Sequence, residues 1–366
     1  LEALYLAGAL VGGLGSSNID HRRRHADFTA PEGVRWLGRS IASLSTLQSV
    51  LVVGSSLRKD HPLFAQRIRQ AARKGCTVMS IDAVARDWAM PVAQTLLAAP
   101  GAWAQALADV AAVVAQEKGV SAPVAQGRLD NEAARTMALM LLAGEHKAVL
   151  LGNAAAHHAQ ATSLLALANW IGAQTGATVG YLTEAANTVG AQWVHAMPGV
   201  GGLNAAQMLE GGLKGIFLLN NEPEHDSAAG AKAAAALSKV DMVVTLSPFK
   251  TNMEFSDVLL PIAPFTETSG SFVNAEGLLQ SFHAVVRPLG ETRPAWKVLR
   301  VLANLMDLPG FDFETSQDVL AKATGATAGQ VTTVPVERLS NATAAAPQVA
   351  VGTVADRNAE VLDPLI

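Results

Sequence analysis

The chain has 366 residues, half of them apolar and only 16% charged, with a formal net charge of −4. That length holds two domains or three small ones, and that charge carries no general attraction to nucleic acid or a lipid surface. The single cysteine, Cys76, excludes an internal disulfide, an iron–sulfur cluster needing about four cysteine ligands, and a cysteine-rich zinc site.

No run approaches the roughly 18 consecutive apolar residues of a membrane span. No signal peptide is visible at Leu1, so the chain is expected to be a segment of a longer protein. Residues 1 to 12 are apolar and read as the end of a helix, which Gly12, Gly13 and Gly15 break. The basic run His21 to His25 is either a loop contacting a phosphate or an acidic partner, or a solvated charge run.

The stretch from Gln48 to Asp82 is a βαβ module. SVLVVG is a buried strand and SSLRKDHPLF a loop. Asp60 is the expected N-cap and Pro62 stands near the first helical turn. AQRIRQAARKG is a basic helix closed by Gly75. TVMSID is a second buried strand, parallel to the first. Cys76 at its start reads as a buried, inert thiol. The loop is neither G-x-G-x-x-G nor a P-loop, so a plain nucleotide-binding protein ranks last among the readings. Asp82 is either a ribose-binding acid or a capping aspartate.

Residues Pro91 to Lys118 read as one or two alanine-rich helices, and Arg128 to Leu142 as another. A domain boundary is expected near residue 125. A second α/β series follows: KAVLLGN as a strand, HHAQATSLLALANWIGAQTG as a helix, then ATVGYL, KGIFLLNN and MVVTLSP as strands. Adjacent His157 and His158 point in different directions on a helix, and no carboxylate stands at ligand spacing beside them, so no metal site is expected. The run Val258 to Leu260 reads as a buried strand stopped by Pro261 and Pro264. The polar loop after it, Glu267 to Gly277, is either a binding loop or a structural turn. A helix is expected from Pro294 to Met306. The fold class is therefore α/β, with two doubly wound Rossmann-like parallel-sheet domains at 1–125 and 126–312, and an extended tail at 313–366.

DVLLPIAPFTETSGSFVNAEGLLQ resembles the "LP, E-x-x-G-x-x-x-N-x-E-G-x-x-Q" signature of the molybdopterin oxidoreductase superfamily. VLVVGSSLRKDHPLFAQRIRQAARKGCTVMSID is similar to its pterin-nucleotide module, and GLGSSNIDHRRRHADF to its "NNxD" segment. The resemblance implies Gly54, Ser55, Ser56 and Asp82 as contacts of one pterin nucleotide and Thr268, Gly270 and Asn274 as contacts of another. The chain departs from the pattern in the residues that would do the work. Ser56 and Leu57 replace Asn-Pro, Ala83 and Val84 replace Pro-Arg, and Leu278 replaces an arginine. Ala26 falls at the metal-ligand position, and alanine coordinates nothing.

TGATVGYLTEAANTVGAQWVHAMPG resembles a branch that kept the fold and lost the cofactor: the large iron–sulfur subunit of bacterial NADH:quinone oxidoreductase (respiratory complex I). This resemblance implies a non-catalytic scaffold with no catalytic residue, no metal and no bound cofactor, its pterin sites vestigial. Iron–sulfur clusters would lie in an absent N-terminal part. Partners would be that cluster-bearing domain and other peripheral-arm subunits, on the cytoplasmic side of the inner membrane, with no insertion and no nucleic acid. The alternative is a fragment of a molybdopterin guanine dinucleotide-dependent oxidoreductase. A basic face of Arg22, Arg23, Arg24, Arg67, Arg69, Arg73 and Lys74 either docks an acidic partner or is simply solvated.

Overall fold

Runs of valine, leucine and isoleucine build a parallel sheet with both faces covered. β1 (Ser49–Val53), β2 (Thr77–Asp82), β3 (Gln94–Leu97), β4 (Lys147–Leu151) and β5 (Thr178–Tyr181) pair in the order β3-β2-β1-β4-β5. All four pairings are parallel. In this computed structural model, residues 1–325 and 330–349 are described, and the chain divides into two units. One comprises His25–Ala186 with the described part of 335–366; the other comprises Leu1–Arg24 and Asn187–Val334.

In the five-stranded unit, alternate residues of each strand face opposite ways. Leu51, Val53, Met79, Ile81, Val149 and Leu151 join one core with the helices Trp103–Lys118, Glu132–Leu142 and Ala161–Thr175. Val50, Val52 and Val78 on the other face are equally buried. The helix Trp103–Lys118 is buried on nearly every side through Ala115, because its many alanines let neighbouring helices come close. At the β5 edge the segment around Leu37 takes the place of a further strand. The Tyr181 amide donates to the Trp36 carbonyl at 2.9 Å, and the Asn341 amide group donates to the Trp36 and Val179 carbonyls, both at 2.9 Å. Residues 335–349 thus help cover an exposed sheet edge.

In the three-stranded unit, β6 (Gly215–Leu219), β7 (Met242–Ser247) and β8 (Val258–Pro261) pair in parallel, in that order. Leu246 and Ile262 pack with Leu6 and Leu10 of the helix Glu2–Gly13, with Trp296 and Leu299 of the helix Ala295–Leu305, and with Phe311, Phe313 and Val319. β9 (Gly270–Val273) and β10 (Leu279–Phe282) form an antiparallel hairpin.

Several expectations change. The boundary near residue 125 falls inside the five-stranded unit, because β4 pairs along its whole length with β1. The five strands expected of the second half are divided: β4 and β5 complete the first sheet, and β6 to β8 form their own. QTLL within the alanine-rich run is strand β3, not helix; as an edge strand it alternates between half-buried and exposed residues. β8 is also an edge strand, with Val258 and Pro261 exposed. Asp60 ends a short helical turn, and His61 precedes the helix Pro62–Ala72 instead. The tail expected to be extended holds the helix Ser316–Thr324, started by a Thr315–Asp318 capping box. The rest of the tail expectation, at 326–329 and 350–366, lies outside the described residues.

Candidate functional site

Strand order reverses direction between β1 and β4, and a crevice opens there at the carboxyl ends of the strands, where open α/β sheets bind ligands. A cleft at this place is lined by Gly54, Ser56, Asp60, Asp82, Ala83, Val84, Arg86, Trp103, Asn153 and Ala154. The structure therefore brings together Gly54, Ser56 and Asp82, with Ser55 buried between the first two.

The backbone at the crevice is drawn tight. Gly54 has φ +60°, and its amide donates to the Ile81 carbonyl at 2.9 Å. The Gly152 amide donates to the Val53 carbonyl at 2.8 Å, and the Ala154 amide to the Gly54 carbonyl at 3.1 Å. A Cβ on Gly54 would lie 2.7 Å from Cζ3 of Trp103 and 2.8 Å from the Ala155 nitrogen. The close approach that this glycine allows is used by the protein's own tryptophan and backbone. Trp103 is held by an Nε1 bond to the Ala98 carbonyl at 3.0 Å and by stacking on His158, with centroids 5.7 Å apart.

Asp82 is 2% exposed and binds Arg86. Arg86 Nε reaches one carboxylate oxygen at 2.6 Å and Nη2 the other at 3.1 Å. The Ala83 amide donates to Asp82 at 2.7 Å. An arginine thus does reach the cleft, from a position that the sequence pattern did not mark, but it is turned onto the aspartate. Ser55 Oγ and Asn153 Oδ1 are buried without a hydrogen-bond partner among the described residues.

The second group of expected contacts lies in the three-stranded unit, where the Thr268 and Asn274 side chains bond to nearby backbone. Asn274 Oδ1 accepts from the amides of Glu276 at 3.1 Å and Leu278 at 2.9 Å. Gly277, at φ +89°, completes that turn. Thr268 Oγ1 donates to the Ala263 carbonyl at 3.3 Å. Gly270 leaves room for the Phe282 ring, which a Cβ there would approach at 3.2 Å. These local bonds are those of a structural turn.

The basic run is likewise engaged. Arg22 pairs with Asp20 at 2.9 Å and Arg23 with Asp226 at 3.1 Å, and Arg24 donates to the Asp226 and His225 carbonyls. Arg22 to Arg24 belong to the three-stranded unit and Arg67 to Lys74 to the five-stranded one, so the proposed basic face is not one surface of one unit. Cys76 is buried, and burial pushes its thiol up to about 11, which fits an inert cysteine.

One cluster had no signal in the sequence. Glu184, three residues beyond β5, meets His157 Nε2 in a close contact and His25 Nε2 at 3.4 Å. The two imidazole rings are 5.1 Å apart. Burial pushes the Glu184 carboxyl up, but hydrogen bonds and positive charge from His157 and His25 outweigh it and hold the carboxyl well below its usual range. His158 turns elsewhere: its Nε2 bonds the Pro100 carbonyl at 2.9 Å, while its Nδ1 accepts from the Gln160 amide.

Residues 1–305 match the molybdopterin oxidoreductase family, and the chain belongs to it. It is 30% identical over 136 residues to the "Probable oxidoreductase YjgC" of Bacillus subtilis, covering 36% of this chain and 14% of that protein. It is 38% identical over 80 residues to a "Putative formate dehydrogenase" of Staphylococcus aureus strain bovine RF122, covering 22% of this chain and 8% of the relative. The chain thus spans a small part of the curated relatives it matches. Among solved structures it is similar to acetylene hydratase from Pelobacter acetylenicus, with TM-score 0.56 and 15% identity over 89% of this chain and 54% of that one. It is also similar to a chain of the formyltransferase/hydrolase complex from Methylorubrum extorquens, with TM-score 0.57 and 15% identity over 84% and 88%. At that identity the two structures speak to fold alone. None of the described helices is long and apolar enough to cross a membrane.

Proposed function

We propose that this chain is a cofactor-free scaffold segment of the peripheral arm of bacterial NADH:quinone oxidoreductase, corresponding to the C-terminal part of its large iron–sulfur subunit. The observation that carries this reading is the state of the switch-point cleft. A pterin nucleotide would bring a diphosphate to it, and phosphates call for free guanidinium or amide donors and close backbone approach. Here the approach at Gly54 is taken by Trp103 and Ala155, and Arg86 is committed to Asp82. Asp60 adds a second carboxylate to the lining. The residues present fit such a group poorly, which supports a scaffold role. Ala26 supports it further, since the resemblance places a metal-ligating side chain at that position.

In this reading no residue of the chain does redox chemistry. The NADH site, the iron–sulfur clusters and the quinone site belong to other segments or subunits. The segment contributes packing to its own cluster-bearing domain and to neighbouring subunits, on the cytoplasmic side and without insertion into the membrane.

A second reading, a fragment of a molybdopterin guanine dinucleotide-dependent oxidoreductase, is favoured by the formate dehydrogenase name of several relatives and by the unpartnered Ser55 Oγ and Asn153 Oδ1. One preparation separates the two. NADH:quinone oxidoreductase is purified from the source cells and searched for peptides of this chain, and the protein carrying the chain is assayed for molybdenum, tungsten and pterin. Stoichiometric peptides in the complex, with neither metal nor pterin, are expected. Near one metal or pterin per chain, with no peptides in the complex, would overturn the scaffold reading in favour of the second.

A further inference from the structure

We propose that His25, His157 and Glu184 of the five-stranded unit bind a divalent first-row transition-metal ion. The three side chains come from three separate elements: the segment entering the unit, the short helix Asn153–His157 after β4, and the loop after β5. Two of these follow the carboxyl ends of adjacent parallel strands, the end of the sheet where ligand sites form. None of the three lines the switch-point cleft, so the inference stands apart from any question about a pterin.

The ligand atoms already converge. All three lie within 4.8 Å of one another, and His25 Nε2 is 3.4 Å from the Glu184 carboxylate. In a tetrahedral zinc site, with ligands at about 2.0–2.2 Å from the ion, neighbouring ligand atoms stand roughly 3.3 Å apart. The His25–Glu184 edge has that length, and an entering ion need only part His157 from the carboxylate it now touches. His157 is 3% exposed at its side chain, and its Nδ1 is buried without a hydrogen-bond partner among the described residues, so Nε2 is the nitrogen it presents to the cluster. Its backbone carbonyl accepts from the Ala26 amide at 3.1 Å, tying it to the residue after His25.

Two imidazoles and one carboxylate make a donor set suited to Zn²⁺, Co²⁺, Ni²⁺ or Cu²⁺, and poorly suited to Mg²⁺ or Ca²⁺, which take oxygen ligands. His25 and Glu184 keep 19% and 22% of their side-chain exposure. With three protein ligands and solvent at one side, the ion would carry a water in its fourth position, the arrangement of exchangeable rather than closed structural sites.

The test uses the full chain without an affinity tag, treated with chelator and titrated with Co²⁺ while its visible ligand-field absorption is followed. About one Co²⁺ per chain is expected, displaced by Zn²⁺. His25→Ala and Glu184→Gln should each weaken Co²⁺ binding at least tenfold, with circular dichroism confirming that they remain folded. His283→Ala, at an exposed histidine of the other unit, should bind as the unaltered chain does. Absence of a Co²⁺ ligand-field spectrum in the unaltered chain would overturn the proposal and leave the cluster an ion pair between a carboxylate and two imidazoles. Equal affinity in His25→Ala and Glu184→Gln would overturn it as well.

Discussion

Arg86 is the group on which the reading of the cleft turns, and replacing it with alanine measures its commitment to Asp82. Two bonds of a charge-assisted pair, at 2.6 and 3.1 Å, are worth about 1.5–3 kcal/mol each when removal leaves a buried carboxylate behind. Two features reduce that gross value. Arg86 retains 24% side-chain exposure, and the Ala83 amide stays on Asp82 at 2.7 Å. A net coupling of about 2–3 kcal/mol follows for the Asp82–Arg86 pair, below the 3–5 kcal/mol typical of breaking a fully buried ion pair. The assay is a double-mutant cycle of Asp82→Ala, Arg86→Ala and the double variant, followed by urea unfolding of the five-stranded unit's transition. With a slope of about 3 kcal/mol per molar urea, Arg86→Ala should lower the midpoint by about 0.7–1 M. Arg86→Lys should recover only part of this, because an ammonium cannot reproduce the two-pronged contact. A coupling below about 0.5 kcal/mol would refute the reasoning: the guanidinium would then be free to take a phosphate.

Gly180→Ala should lower the melting temperature by about 5–10 °C, on the basis of overpacking at 2–3 kcal/mol. The added Cβ would sit 1.9 Å from the Leu37 carbonyl oxygen, and neither backbone can rotate away; an unchanged melting temperature would mean that the segment around Leu37 does not cover β5. Asp109 is buried and accepts from the Arg128 amide at 2.9 Å, Arg128 Nη2 at 3.0 Å and Asn131 Nδ2 at 2.9 Å. Burial pushes its carboxyl up, but these bonds more than offset that and hold it below the usual range. A lowered folded-state value gives stability that is whole above about pH 3.9 and lost as pH falls through the lower folded value. The gap in urea midpoint between the unaltered chain and Asp109→Asn should therefore be constant from pH 7 to about 4 and close only below that. Cys76, with its thiol pushed to about 11, should react with a thiol-specific disulfide reagent at pH 8 many times more slowly in the folded chain than in urea; equal rates would show that it is accessible.

Much of the architecture could be read locally, and what could not was non-local. SVLVV and TVMSI announce buried parallel strands because valine and isoleucine fill both faces. QTLL did not, since two leucines beside alanines suit a helix as well as an edge strand, and only the bonds to β2 decide it. The pairing of β4 with β1 is invisible in either strand alone, so a boundary expected near residue 125 cuts through a sheet. The same limit applies to the sites. Gly54, Ser56 and Asp82 were legible because each ends or follows a strand that the sequence marks. Trp103, which fills the space over Gly54, begins a helix far along the chain and carried no motif. His157 and Glu184 are 27 residues apart, with a helix and a strand between them, so no ligand spacing could bring them together on paper.

The cleft also shows how such a fold can keep its shape with or without a ligand. At a switch point, glycine lets a foreign group come close to the backbone. Gly152 and Gly54 still have that freedom, but it is used for the chain's own packing: a Cβ on Gly152 would lie 2.3 Å from Ser55 Cβ and 2.5 Å from the Gly54 carbonyl oxygen. Glycine here is therefore demanded by the sheet crossing whether or not anything binds, and its presence is weak grounds for inferring a cofactor. Charge is the better discriminator, because packing does not require it. A diphosphate site must keep its cations free of internal partners, and Arg86 bound to Asp82 does the opposite. The His25–His157–Glu184 cluster is judged on other grounds: its imidazoles and carboxylate are themselves the groups that ligate a transition-metal ion, and their ligand atoms already lie within 4.8 Å of one another.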